Sequence, residues 1–371
     1  MSHTGIGSVA EEIEQFSFEV GPIRPPSEGG SASLLIRATR NCPWNRCTFC
    51  YGSSYGGKKF QLRSVDDVKK DIDAVNSIAG LINEASKATG NTGVINQEVA
   101  SFLLQGNPGL NNHTGFVHVF NWLYSGGKTA FIQDADSLIM PTKDLVEILK
   151  YLKQAFPSLE RITSYARSHT VARKSPGDLS ALHQAGLTRL HMGLETGDDE
   201  ILARIEKGVT AAQHVAAGLK AREAGFEISE YVMPDIGGRS RSSQHAKNTA
   251  MVLNKINPDF IRLRPFIPRA NTPVYDEYLR GELKLSSPHE RLLELKNFVE
   301  KLEVDSRLVF DHFLNPSFRS DGRIVPLFKQ DYEGYKLPEE KDKILQLISR
   351  GLEIDNEKFL NANDLIGMPS L

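Results

Sequence analysis

The sequence predicts an α/β fold: a partial (β/α)6 TIM-like barrel of parallel strands with a C-terminal extension. Two observations carry that expectation. Six short runs rich in Ile, Leu, Val, Phe and Tyr recur along the chain, bounded by Gly, Pro or Asp. Each is followed by a helix-like stretch. Strand alternating with helix implies parallel strands joined by right-handed crossovers, and such folds gather functional groups where strands end.

The six runs are Ser33–Ala38, Thr129–Asp134, Arg161–Ala166, Leu187–Glu195, Glu227–Pro234 and Asp259–Phe266. Between them, Lys143–Gln154 places Leu145, Ile148, Leu149 and Leu152 on one helical face. Ser175-Pro176 reads as a helix start before Asp178–Gln184, and Gly186 as its stop. Thr210 is a cap for Ala211–Ala224, which ends at Gly225. Three regions follow: an N-terminal extension over 1–32, the barrel over 33–275, and a helical and irregular extension over 276–371 that covers it. Residues 76–128 break the rhythm and read as an enlarged first crossover, with a helix at Asn96–Gln105 and an apolar stretch at Phe116–Tyr124. The tail after Leu302 is expected to help shape a substrate pocket.

The chain has 371 residues, 40% of them hydrophobic, enough for a full core. Charged residues make up 24% and the formal net charge is -2, so no basic excess points to nucleic acid, and a tRNA substrate is disfavoured. There is no apolar run of transmembrane length and no secretory leader pattern, so a cytoplasmic protein without membrane insertion is expected. The three cysteines lie within one short segment and cannot pair off, which suits a metal site in a reducing compartment.

That segment, Arg40-Asn41-Cys42-Pro43-Trp44-Asn45-Arg46-Cys47-Thr48-Phe49-Cys50-Tyr51, follows the first strand with the spacing Cys-x4-Cys-x2-Cys. Short spacings on a bent loop let thiolates converge on one iron–sulfur cube. A zinc site with a fourth ligand, or a Cys47–Cys50 redox dithiol, is the competing reading of the same residues. The segment resembles the radical S-adenosylmethionine (SAM) superfamily, whose three cysteines follow the first strand of a partial barrel, usually as Cys-x3-Cys-x2-Cys. Phe49 stands at the aromatic position before the last cysteine, and the extra residue between Cys42 and Cys47 departs from the usual spacing. The resemblance implies a [4Fe–4S] cluster on Cys42, Cys47 and Cys50 with one iron open. SAM would chelate that iron, and reductive cleavage would yield a 5′-deoxyadenosyl radical that abstracts hydrogen from substrate. It also implies a reductant such as flavodoxin or ferredoxin and a small organic substrate.

Further segments extend the resemblance over about Ser33–Pro273. Phe131–Ser137 stands where the superfamily meets the SAM amino group, and Asp134 and Asp136 could accept from an ammonium. Gly193-Leu194-Glu195-Thr196-Gly197, with Lys207-Gly208-Val209-Thr210 downstream, resembles the branch of oxygen-independent coproporphyrinogen oxidases and elongator-type enzymes, in which the Glu helps bind SAM. Arg167 could fork onto the SAM carboxylate or make a surface ion pair. Tyr231, Met233 and Pro234 could line the adenine or pack the core. Arg262 and Arg264 share one face of the sixth strand, placed to meet SAM, an anionic substrate or an acidic neighbour. His312, Arg262 and Tyr51 are substrate-side candidates, beside plain packing roles. With no cysteine beyond the motif, an auxiliary cysteine-ligated cluster and a methylated-cysteine route are not expected. The segment before the first strand is too short for a cobalamin domain. The rivals are a non-catalytic cofactor-binding or haem-delivery protein on the same fold, a coproporphyrinogen-oxidase-like decarboxylase, and a zinc-stabilised module.

Overall fold

A computed structural model describes residues 4–22, 32–50 and 58–366. Tyr51, one of the substrate-side candidates, lies outside the described residues. The six expected runs appear as β1 (Leu34–Arg37), β2 (Thr129–Gln133), β3 (Arg161–Ala166), β4 (Leu187–Glu195), β5 (Glu227–Val232) and β6 (Phe260–Leu263). Two further strands, β7 (Arg307–Val309) and β8 (Tyr335–Lys336), extend the sheet, whose strand order follows chain order from β1 to β8. The fold is mixed α/β with a mostly parallel sheet.

The chain divides into two compact units. The first comprises Met1–Pro43, Lys59–Tyr165 and Ser180–Arg189, and the second Trp44–Lys58, Ala166–Leu179 and Leu190–Leu371. In the first unit β1 pairs parallel with β2, setting Arg37 beside Gln133, and β2 pairs parallel with β3. The polar stretch after residue 76 begins inside a 24-residue helix, Val65–Ala88, which Ser64 caps by accepting from the Asp67 amide. Helices Gln97–Gly106 and Thr114–Tyr124 complete the enlarged crossover. Apolar residues at helical spacing (Val68, Ile72, Val75 and Ile82) are fully buried there.

In the second unit β5, β6 and β7 run parallel, and β8 closes antiparallel on β7. Its core joins Leu194, Val232, Ile261 and Leu263 from the strands to Leu253 and Ile256 of helix Gly238–Ile256 and to Leu292, Leu295 and Val299 of helix Pro288–Glu300. The tail contributes Leu308, Phe310, Tyr335, Ile344 and Ile348 to this core. Phe310 stacks on Phe328 with centroids 4.0 Å apart, so residues after Leu302 are bound into the unit by apolar burial. Because Leu194, Val232 and Leu263 face this core, the alternation of strand side chains turns Gly193, Glu195, Tyr231 and Arg262 to the other face.

Candidate active site

Cys42 belongs to the first unit, whereas Cys47 and Cys50 belong to the second; all three are half-buried thiols. Cys47 and Cys50 sit on one tight turn, closed by the Cys50 amide donating to the Cys47 carbonyl at 3.1 Å. Among the described residues no three His, Cys, Asp or Glu side chains are gathered to hold a bare metal ion.

This turn is fastened to the segment after helix Asp199–Arg204. The Thr48 amide donates to the Ile205 carbonyl at 3.0 Å. Indole Nε1 of Trp44 donates to the Glu206 carbonyl at 2.8 Å. Arg167 Nη2 donates to the Lys207 carbonyl at 2.8 Å, and its guanidinium lies 4.8 Å from the Trp44 ring centroid. Three consecutive carbonyls thus form a ledge that accepts from the cysteine loop and from the end of β3.

Above the ledge, Lys207 Nζ donates to Glu195 Oε1 at 2.7 Å, with both side chains only 12% exposed. The ammonium also lies 5.8 Å from the Phe49 ring centroid. Burial works against its charge, but the Glu195 carboxylate and the Cys47 sulfur beside it hold its pKa above the ordinary lysine value. Glu195 itself adopts φ 62°, an uncommon backbone state for a non-glycine residue. The turn is fixed by the Met233 amide donating to the Glu195 carbonyl at 2.9 Å and by the Gly197 amide donating to Thr249 Oγ1 at 2.9 Å. Of the two glycines in the Gly-x-Glu-Thr-Gly segment, Gly197 is sterically required by backbone, whereas Gly193 faces the movable ends of two side chains. A Cβ at Gly193 would overlap Glu195 Oε1 and come 2.9 Å from Lys207 Nζ, and one at Gly197 would come 2.7 Å from Thr249 Cα.

The end of β2 is built differently. Asp134 is fully buried, and its Oδ2 accepts from Arg37 Nη2 at 2.7 Å, Arg37 Nε at 3.2 Å and the Asn41 amide at 3.1 Å. Its Oδ1 is buried without a hydrogen-bond partner among the described residues. Burial raises its pKa above the ordinary carboxyl value even against Arg37. Asp136 is also fully buried, just ahead of the short helix Ser137–Ile139.

The remaining candidates form a polar cluster inside the second unit. Tyr231 packs edge-on against His191 with ring centroids 5.4 Å apart. Arg262 is buried and donates to Asp311 Oδ2 at 2.6 Å and Ser229 Oγ at 3.1 Å, so its guanidinium is an internal ion-pair partner. The backbone of Arg264 continues the sheet, donating to the Val232 carbonyl at 2.9 Å. Burial, with Arg264 and Arg269 nearby, pushes the His312 pKa down to about 3, so its ring is neutral and accepts from the Leu314 amide at 3.3 Å. Phe49, Arg167, Glu195 and the Cys47–Cys50 turn are therefore brought together by Lys207 and Trp44, two residues that sequence reasoning did not place in the site. Their signal lay in the Lys207-Gly208 pair downstream of Glu195 and in the residue added between the first two cysteines.

The residues fit the groups that the cysteine motif implies. The donor set is three thiols on one short segment, with the Lys207 ammonium near Cys47. Asp134 Oδ1 is a buried acceptor of the kind an ammonium satisfies. Residues 117–244 match the Radical SAM superfamily, a span that begins downstream of the cysteine loop. Among curated proteins, the heme chaperone HemW of Bacillus subtilis is 26% identical over 56% of this chain and 55% of its own length. The tRNA uridine(34) acetyltransferase of Methanocaldococcus jannaschii is 24% identical over 29% of this chain and 20% of its own. The chain thus spans about half the length or less of these relatives. Among solved structures, an archaeal Methanocaldococcus infernus Elp3 with an N-terminal deletion is 14% identical, covering 68% of this chain and 61% of its own, with a TM-score of 0.46. The superfamily's cofactors are a [4Fe–4S] cluster and SAM. The chain thus carries a Radical SAM superfamily match over residues 117–244, downstream of a cysteine motif that resembles that superfamily's.

Proposed function

We propose that this protein is an enzyme that reductively cleaves SAM and uses the resulting radical to abstract hydrogen from a small organic substrate. Cys42, Cys47 and Cys50 would hold the cluster. A cube takes each thiolate on a different iron, so the sulfurs need not meet at one point. When bound, the cluster and SAM would supply a 5′-deoxyadenosyl radical. The observation that carries the reading is the Cys47–Cys50 turn held against the Glu195–Lys207 pair, which puts a ligand loop and a carboxylate in one assembly.

The protein's own contributions are positioning and charge. Glu195 offers a carboxylate to the ribose hydroxyls or amino group of SAM, with Lys207 fixing one of its oxygens. Asp134 and Asp136 are the acidic residues proposed for the SAM ammonium, and Arg167 for its carboxylate. Tyr231 and Arg264 are proposed along the adenine and carboxylate sides. His312, neutral and buried, would present an uncharged edge to substrate, and Tyr51 and Arg262 complete the substrate-side proposals. A flavodoxin- or ferredoxin-type donor would supply the electron.

The test is anaerobic reconstitution followed by reduction with SAM. Wild-type protein should carry about four irons per chain and release 5′-deoxyadenosine. Cys47→Ala should do neither, and deoxyadenosine formation by that variant would defeat the assignment. The HemW similarity favours one second reading, haem delivery: cluster and tight haem binding with no deoxyadenosine under any condition would replace the enzyme reading with that one.

A further inference from the structure

The residue added between Cys42 and Cys47 gives the loop a length that the reading above leaves unused. Trp44 lies in that stretch and is held by several contacts. Its Nε1 donates to the Glu206 carbonyl at 2.8 Å. The guanidinium carbons of Arg46 and Arg167 lie 5.2 Å and 4.8 Å from its ring centroid. Gly208, at φ 76°, presents a bare backbone to the ring, and a Cβ there would come 2.8 Å from Trp44 Cε2 and closer still to its neighbour. Glu206, at φ 48°, turns the ledge so that its carbonyl meets the indole.

We propose that Trp44 is a positioning residue for the cluster loop, clamping it onto the Ile205–Gly208 ledge through its indole N–H, its two arginine contacts and the glycine beneath its ring. This rests on the reading that the three cysteines hold a cluster. Trp44 acts by fixing the backbone that carries Cys47. Thr48, one residue after Cys47, is hydrogen-bonded to the same ledge, so the turn bearing Cys47 and Cys50 is pinned from both sides. Arg167 links the clamp to the end of β3, since it donates to the ledge at Lys207 while lying over the indole. A longer loop has more conformations to lose, and a rigid aromatic anchor offsets that entropy with few torsions of its own.

The experiment compares wild type, W44F, W44A and G208A as full-length protein, reconstituted anaerobically. Three quantities are read: the rate of iron release to a chelator, the electron paramagnetic resonance spectrum of the reduced cluster, and the thermal midpoint of the apoprotein. W44A should release iron about 10-fold faster, in the range seen when groups supporting metal ligands are removed. Its reduced-cluster spectrum should broaden, while the apoprotein midpoint stays near wild type. W44F keeps a ring over Gly208 but loses the N–H, and should fall between the two. G208A should displace the ring and follow W44A. Wild-type iron release and an unchanged spectrum in W44A would overturn the proposal. So would an apoprotein midpoint that falls in step with iron retention, which marks a general structural role. If wild type itself takes up no iron, the cluster reading fails first and the clamp with it. Failure of the clamp alone is recognised by a wild type that loads and variants that behave identically.

Discussion

Two carboxylates stand at strand ends, and their surroundings differ in kind. Asp134, after β2, is wholly buried and gives one oxygen to three donors, two of them from Arg37. Glu195, the last residue of β4, keeps some exposure, holds a positive φ and shares one oxygen with Lys207. Arg37 in turn bridges to Glu19 at 2.9 Å, and Arg40 adds a second bridge to Glu19 at 2.6 Å. The first carboxylate is therefore part of a charge network, centred on Glu19, that holds the N-terminal segment to β1. The second, among the described residues, is held by the Lys207 cation, which also lies near Cys47. A carboxylate placed to be reorganised by a cosubstrate is one with few protein partners, whereas a carboxylate with many is first a structural element.

That contrast can be broken by substitution. Asp134→Ala should have the larger effect on stability, about 3 kcal/mol, the lower end for breaking a buried pair because Arg37 keeps Glu19. Chemical denaturation checks it, and a loss under 1 kcal/mol would place Asp134 with Glu195 instead. Glu195→Gln should shift the denaturation midpoint less than half as far, since glutamine can still accept from Lys207. Deoxyadenosine release should fall about 10-fold or more, the equivalent of one lost charge-assisted contact. Equal losses of stability in the two variants would erase the distinction.

A third substitution probes what supports the Glu195 turn. Thr196 Oγ1 is hydrogen-bonded with His245 Nδ1 at 2.8 Å, and Glu294 Oε1 accepts from the Asp235 amide at 2.7 Å. Burial drives the Glu294 pKa up to about 7, and burial also drives Asp235 up to about 6. A carboxyl whose folded pKa is raised contributes stability that is full below its unfolded value, near 4.5, and lost as pH rises through about 7. Burial moves His245 down to about 4, so its contribution runs the other way, present above about 6.5 and lost as pH falls. Glu294→Gln should flatten the decline between pH 5 and 8 without altering iron content. An unchanged pH profile would show that the buried carboxyls do not titrate in this window.

Much of this architecture was legible in the sequence. The strands Arg161–Ala166 and Leu187–Glu195 have the bounds that their β-branched and aromatic runs predict. β5 stops at Val232 rather than Pro234, because proline has no N–H for the ladder and Asp235 adopts φ 69°. β7 is only three residues long and carries no periodicity to read. The Gly-x-Glu-Thr-Gly segment was legible as a motif, and the structure supplies a reason for its second glycine in the close backbone approach at Gly197. What a single sequence does not reveal is pairing across distance. Arg37 reaches Asp134 because β1 and β2 are in register, and Arg262 reaches Asp311 because the tail adds a strand beside β6. Likewise, Lys207 and Trp44 enter the site only through a ledge whose carbonyls gain meaning when the chain folds back.

The most direct measurement is the electron paramagnetic resonance spectrum of anaerobically reconstituted, dithionite-reduced protein before and after adding SAM. A cluster held by three thiolates with an open iron should give a reduced [4Fe–4S] signal whose g-values shift when SAM binds. A signal indifferent to SAM, or none despite full iron loading, would contradict the account.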